Sequence, residues 1–246
     1  MPRIHASLPR LFVTPGLVDG AALTLDRDQS NYLGAVLRMP VGGEVILFNG
    51  RDGAWLARIT NANKKAVSLE LVEQTSPQSP PSDLWYGFAP LKSARLDYVV
   101  QKATEMGAGT IQPVITRFTQ VHRLNADKLK ANVIEAAEQC EVLTVPEVGA
   151  EMSLDKLVAD WDPARALVFA DEGQASASPL APLEALAGRP VGLLVGPEGG
   201  FAPEEREKLL AQSFTVPISL GPRILRADTA AVAALAVIQA TIGDWR

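Results

Sequence analysis

The sequence predicts an α/β protein in two parts, a parallel-sheet domain preceded by a small β-barrel. Three observations predict it. Short runs rich in strand-forming residues, separated by turn signals, fill the first 72 residues. Residues 73–83 then carry Pro77, Pro80 and Pro81 and no large apolar side chain, the composition of an extended, semi-rigid linker. From Leu84 onward strand-length apolar runs alternate with helical periods, the pattern of a parallel α/β sheet. The expected boundaries are a barrel over 1–73, a linker over 74–83 and the parallel-sheet domain over 84–246.

Strands are expected at 11–13, 22–25, 44–48, 54–59 and 66–71, with Pro15-Gly16, Gly42-Gly43, Asn49-Gly50 and Asp52-Gly53 turning the chain between them. A helix is expected over 28–37, stopping before Pro40. In the second part, strands fall at 84–89, 111–115, 166–170, 191–195 and 216–220. Helices fall at 96–106, 127–140, 153–161, 179–186, 203–212 and 229–242. Leu96, Val99, Val100 and Ala103 share a face of the first, and Gly107 ends it. The last has almost no polar face, so it is expected to be buried or to meet another subunit.

The net charge of −5 opposes a global attraction to nucleic acid. The charge is uneven: residues 1–75 hold eight Lys/Arg and seven Asp/Glu, and the remainder hold fifteen and twenty-one. Any nucleic-acid surface is therefore local. A single cysteine, Cys140, allows no internal disulfide and fits a cytoplasmic protein. The N-terminus lacks the apolar core of a signal peptide, and the 229–242 run is too short for a membrane span. No His, Cys and Asp spacing suits a metal.

Two loops concentrate the chemistry. In the first, a strand breaks off into Gly196-Pro197-Glu198-Gly199-Gly200-Phe201, followed by Pro203 and two glutamates that suit a first helical turn. Glycine lets backbone N–H groups approach a ligand, and a side chain at Gly199 is expected to obstruct it. The loop has no lysine or arginine and carries Glu198, so a ligand with ribose hydroxyls and a positive centre suits it better than a polyphosphate. The second is Leu220-Gly221-Pro222-Arg223-Ile224-Leu225-Arg226, with Asp228 and Thr229 opening the last helix. Arg223 and Arg226 need partners; Asp228 or Glu198 within the chain would serve, and so would a ligand.

Together these loops resemble the SAM-binding motifs of the SPOUT methyltransferases. Within that superfamily the match is to the RsmE family, which methylates N3 of a uridine in 16S ribosomal RNA. The resemblance also covers Pro9-Arg10-Leu11-Phe12-Val13, Val36-Leu37-Arg38 and Phe48-Asn49-Gly50. Downstream it covers Lys92-Ser93-Ala94-Arg95-Leu96-Asp97, 101–107, 136–140 and Val145-Pro146. It implies a PUA-like RNA-binding barrel and a SPOUT-like domain with a C-terminal trefoil knot around 191–235. It also implies a homodimer and, as partner, the 16S rRNA of the assembled small subunit. It implies S-adenosyl-L-methionine, with no metal, held by Leu194, Gly196, Pro197, Glu198, Gly199, Leu220, Gly221, Ile224 and Leu225.

Arg226 is the candidate catalytic residue, a cation to stabilise the N3-deprotonated uracil. Glu198 or Asp228 would orient it or take the proton. Arg3, Arg10, Arg38, Lys92 and Arg95 are candidates for RNA contact; the last two fall where open α/β sheets bind ligands. The chain departs from the family pattern at Asn31, at Glu141-Val142 and at Asp228, which stands where the family usually has glutamate. A methyltransferase acting on tRNA and a non-catalytic ribosome-assembly factor are the alternative functions.

Overall fold

The computed structural model describes residues 8–92, 94–121, 123–173 and 178–245. The chain forms two compact units. The first takes in the chain as far as Pro81 together with Ala137–Val145; the second comprises Ser82–Ala136 and Pro146–Arg246.

The first unit is a five-stranded mixed sheet. Its strands are β1 (Arg10–Phe12), β2 (Ala22–Thr24), β3 (Glu44–Phe48), β4 (Ala54–Asn63) and β5 (Ala66–Ser76), in the order β1-β3-β4-β5-β2. Only the β1–β3 pairing is parallel. Alternation along β3 explains the burial of Val45–Phe48 on both faces. Val45 and Leu47 join a core with Leu11, Ile59, Leu69 and Leu71, while Ile46 faces a smaller cluster closed by Leu143. Leu11 of β1 and Leu23 of β2, on the two end strands, pack into the same core. Strand β5 runs on to Ser76, into the stretch expected as linker, because Gln74 and Ser76 pair with Trp55 and Ala54.

The helix expected over 28–37 is two pieces. A short α1 (Arg27–Asn31) starts at Asp26, whose carboxylate accepts the Gln29 N–H at 2.8 Å. It widens into a π-helical turn, Tyr32–Val36, after which Arg38 turns left-handed at φ 54°.

The second unit holds a parallel sheet of β6 (Trp85–Phe88), β7 (Thr110–Ile115), β8 (Glu147–Val148), β10 (Ala166–Ala170), β11 (Val191–Val195) and β12 (Thr215–Ile218). The order is β12-β10-β11-β6-β7-β8, and the two-residue β9 (Met152–Ser153) lies beside β7. Helices α2 (Ala94–Glu105), α3 (Ala126–Cys140), α4 (Leu154–Asp160), α5 (Leu180–Glu184), α6 (Pro203–Leu210) and α7 (Ala227–Ile242) connect the strands and end the chain. Strands β10 and β11 are apolar throughout because both faces of a parallel sheet are covered. The expected parallel-sheet domain is therefore present.

Helix α7 is not buried all round within the single chain. Only one face, with Ala231, Ala234, Leu235 and Ile238, is fully buried; Ala233, Ala236 and Val237 are half-buried and Ala240 is exposed. Its Gln239 donates to the Met106 carbonyl at 2.7 Å, where Gly107 ends α2 at φ 80°. No helix among the described residues is long and apolar enough to cross a membrane.

Candidate functional site

A cavity of about 260 Å³ opens at the C-terminal ends of β10 and β11, where open α/β sheets place ligands. Three segments wall it: Phe169–Gly173 at the end of β10, Val195–Glu198 with Gly200 and Phe201 after β11, and 219–225 after β12. Ala227 and Ala230 of α7 close one side. The two glycine–proline loops, separate in sequence, thus face one space.

Of the residues expected to hold the cofactor, Gly196, Pro197, Glu198, Leu220, Gly221, Ile224 and Leu225 line this cavity. Leu194 does not. It is fully buried with Leu167 and Leu209 in the core beneath, so its place in the motif reflects packing. Gly199 also stands off the wall, beside Phe118. A Cβ there would meet the Phe118 Cβ at 3.4 Å, an ordinary contact. The tight glycines are its neighbours. A Cβ on Gly196 would lie 2.6 Å from the Phe201 ring, and one on Gly200, at φ 69°, would lie 2.6 Å from a Glu172 carboxylate oxygen.

The first loop is tied down. Glu198 pairs with Arg95 of α2 at 3.2 Å, both about two-fifths exposed. The Gly200 N–H donates to the Pro197 carbonyl. The Phe201 ring stands edge-on to Phe169 at 5.0 Å. Ala202, a poor N-cap, is served from inside the helix: Glu205 of α6 accepts its N–H at 3.0 Å.

The second loop has few ties. Ile224 is 87% exposed. Arg223 and Arg226 form no ion pair among the described residues, so neither Glu198 nor Asp228 neutralises them. Arg226 is exposed at the N-cap of α7, between Leu225 and Ala227, which do line the cavity. Asp228, in the first turn of α7, accepts the Thr229 N–H and sits close enough to the buried Tyr86 to add to the upward push that burial gives its hydroxyl.

Sequence reasoning missed the third wall. Asp171, its side chain 3% exposed, accepts from Arg206 Nε at 3.0 Å on both carboxylate oxygens. That carboxylate holds the Arg206 guanidinium above its ordinary pKa. The charge of Arg206 is therefore matched, and the wall also carries Glu172, the Arg95-paired Glu198 and Arg223. Carboxylates with one guanidinium suit a zwitterionic ligand with hydroxyls, the chemistry of SAM. The available signal was the strand 166–170 ending in Asp171-Glu172-Gly173 at the edge where parallel sheets bind.

The RNA-contact candidates divide. Lys92 and Arg38 are exposed. Arg95 is engaged with Glu198. Arg10 is half-buried, over the Phe48 ring at 5.5 Å; burial lowers its pKa, while Glu141 and Glu138 oppose that. Its Nε is buried with no hydrogen-bond partner among the described residues. Arg3 lies outside the described residues. No cluster of three metal-ligating side chains occurs among the described residues.

Residues 78–239 match the model of an RNA methyltransferase domain, and residues 25–72 match that of an RNA methyltransferase PUA domain. The chain is 33% identical to the ribosomal RNA small subunit methyltransferase E of Rickettsia conorii, covering 94% of each. It is 31% identical to that of Synechocystis, over 95% of this chain and 78% of the relative. Among solved structures, a methyltransferase of Legionella pneumophila in complex with bound SAM superposes with a TM-score of 0.81 at 31% identity, covering 95% of this chain and 97% of the other. The ribosomal RNA small subunit methyltransferase E of Neisseria gonorrhoeae, bound to S-adenosyl methionine, gives 0.83 at 26% identity, covering 97% and 100%.

Proposed function

The chain belongs to the RNA methyltransferase family whose relatives are named ribosomal RNA small subunit methyltransferase E, and we propose that it transfers a methyl group from SAM to N3 of one uridine in 16S rRNA of the small subunit. The observation that carries this is the meeting of both glycine–proline loops at one cavity whose wall carries carboxylates and where Arg206 is paired with Asp171.

When bound, SAM supplies a methyl group on a sulfonium, already a good leaving group. The protein's task is then to position the ring and to favour its deprotonated form. Backbone of 196–198 and 220–225 would hold the cofactor. Arg226, exposed beside the wall and without a carboxylate partner among the described residues, would place its guanidinium near a uracil carbonyl oxygen and lower the N3 pKa. Glu198 is committed to Arg95, which leaves Asp228, two residues from Arg226, as the carboxylate to orient it or to take the proton.

Exposed Arg38 in the first unit and Lys92 in the second would supply phosphate contacts. The proposal includes a cytoplasmic homodimer, for which the half-exposed small-residue face of α7 is the candidate contact. The test uses labelled SAM and small subunits from a strain lacking the modification, followed by nucleoside analysis. Label in N3-methyluridine of 16S rRNA is expected; label in another base, in tRNA only, or nowhere would refute the assignment.

A further inference from the structure

Beside the cavity, the turn after β7 presents two side chains and hides its own supports. Thr116 and Thr119 are 5% and 3% exposed. Their hydroxyls lie 3.0 Å apart, the Thr119 hydroxyl accepts the Thr116 N–H at 2.9 Å, and the Thr119 N–H closes the turn on the Thr116 carbonyl. Between them Arg117 and Phe118 point outward. The Arg117 N–H is held at 2.8 Å by Glu205, the same carboxylate group that receives the Ala202 N–H. The turn is thus fastened to the start of α6, directly after the first glycine–proline loop.

Phe118 is 44% exposed and forms no ring pair among the described residues. Its neighbour is Gly199, between Glu198 and Gly200 of the cavity wall. In the sheet, β7 lies next to β6, and β6 next to β11. The loops leaving their C-terminal ends therefore share one edge, which carries exposed Lys92 and half-buried Arg95 after β6, and Arg117 after β7. Arg117 pairs with Glu204 at only 3.7 Å, both two-thirds exposed or more, an association worth little and easily exchanged for a phosphate.

An exposed aromatic on a fastened turn, flanked by cations, is the arrangement that takes an unpaired base. We propose that Phe118 stacks on one unpaired base of the RNA substrate, with Arg117 at the adjoining phosphate. This rests on the assignment of an RNA substrate given above and adds a recognition site outside the cofactor cavity.

The test measures co-sedimentation with small ribosomal subunits, and KM for them, for Phe118→Ala, Phe118→Leu, Phe118→Tyr and Phe118→Trp. Ala and Leu are expected to weaken subunit binding about 10-fold, and Tyr and Trp to hold it within about 3-fold, with SAM affinity by calorimetry unchanged. Leu binding like Phe would reduce the residue to apolar packing and overturn the proposal. So would unchanged binding in Phe118→Ala, or a changed solution mass in that variant, which would assign the face to a second copy. Because sedimentation needs no methyl transfer, a wild type that binds subunits without methylating them fails the functional assignment alone. A wild type that binds no RNA removes both.

Discussion

The two glycine–proline loops look alike in sequence and differ in how they are held. The loop after β11 is fixed by the Glu198–Arg95 pair, by the Phe201 ring against Phe169 and by Glu205 reaching back to Ala202. The loop after β12 exposes Ile224 and leaves Arg223 and Arg226 without an ion-pair partner among the described residues. A cation that no described residue neutralises, next to a cavity, is available to a ligand. A tied loop instead shapes the wall, and its Gly196 and Gly200 are needed for close approach. The comparison assigns the second loop to chemistry and the first to binding.

The sharpest way to break that division is Arg226→Ala. If the guanidinium acts mainly in the transition state, turnover should fall about 100- to 1000-fold, roughly 3–4 kcal/mol, with SAM affinity nearly intact. Single-turnover methylation of small subunits, alongside calorimetry with SAM, separates the two quantities. Full activity in this variant would return the second loop to a binding role.

Next in size is Gly196→Ala in the tied loop. The new Cβ would sit 2.6 Å from the Phe201 ring, which is itself packed on Phe169, so ring or loop must move at the cavity wall. SAM affinity should fall about 10-fold or more, of the order of the ~1–3 kcal/mol that overpacking costs. Equal affinity by calorimetry would show that the wall yields freely and that the first loop is no more rigid than the second.

How far the sequence disclosed this site depends on the range of the contacts involved. Both loops were legible because strand, glycine and proline are neighbours in the chain, and the alternation of strands and helices from Leu84 is a local pattern. The ties were not. Glu198 meets Arg95 across 103 positions, and Arg206 meets Asp171 across 35, and nothing in either segment alone names its partner. The same limit hid the difference among Gly196, Gly199 and Gly200, which the rings and carboxylate packed against them decide. The π-helical turn at Tyr32–Val36 was likewise invisible to a helical period.

A smaller effect tests the third wall. Arg206→Met keeps much of the side chain and removes the guanidinium from Asp171, which is buried at 3% exposure. Loss of hydrogen bonds to a buried carboxylate should lower stability by about 1–3 kcal/mol, reduced because Arg206 itself is 36% exposed. Urea unfolding with an unchanged m-value would measure it. A loss of SAM affinity larger than the loss of stability would mean that Arg206 meets the ligand directly, and that the pair with Asp171 opens on binding.

The smallest effect expected is at Gly199, and its sign differs from that at Gly196. Sequence reasoning put a ligand against Gly199, so that any side chain there would obstruct binding. The structure places it off the cavity wall and outside the left-handed region that favours glycine. The space beside it is open to a methyl group, with the first neighbour at 3.4 Å on Phe118. Alanine also restricts the unfolded chain more than glycine does, which stabilises a fold that accepts it by about 0.4–1 kcal/mol. Gly199→Ala should therefore unfold at slightly higher urea concentration, with SAM affinity unchanged. If calorimetry shows a loss instead, the cofactor reaches past Gly200 along the loop. The cavity then extends toward Phe118 when the ligand is bound, beyond the wall drawn by Gly196, Glu198 and Gly200.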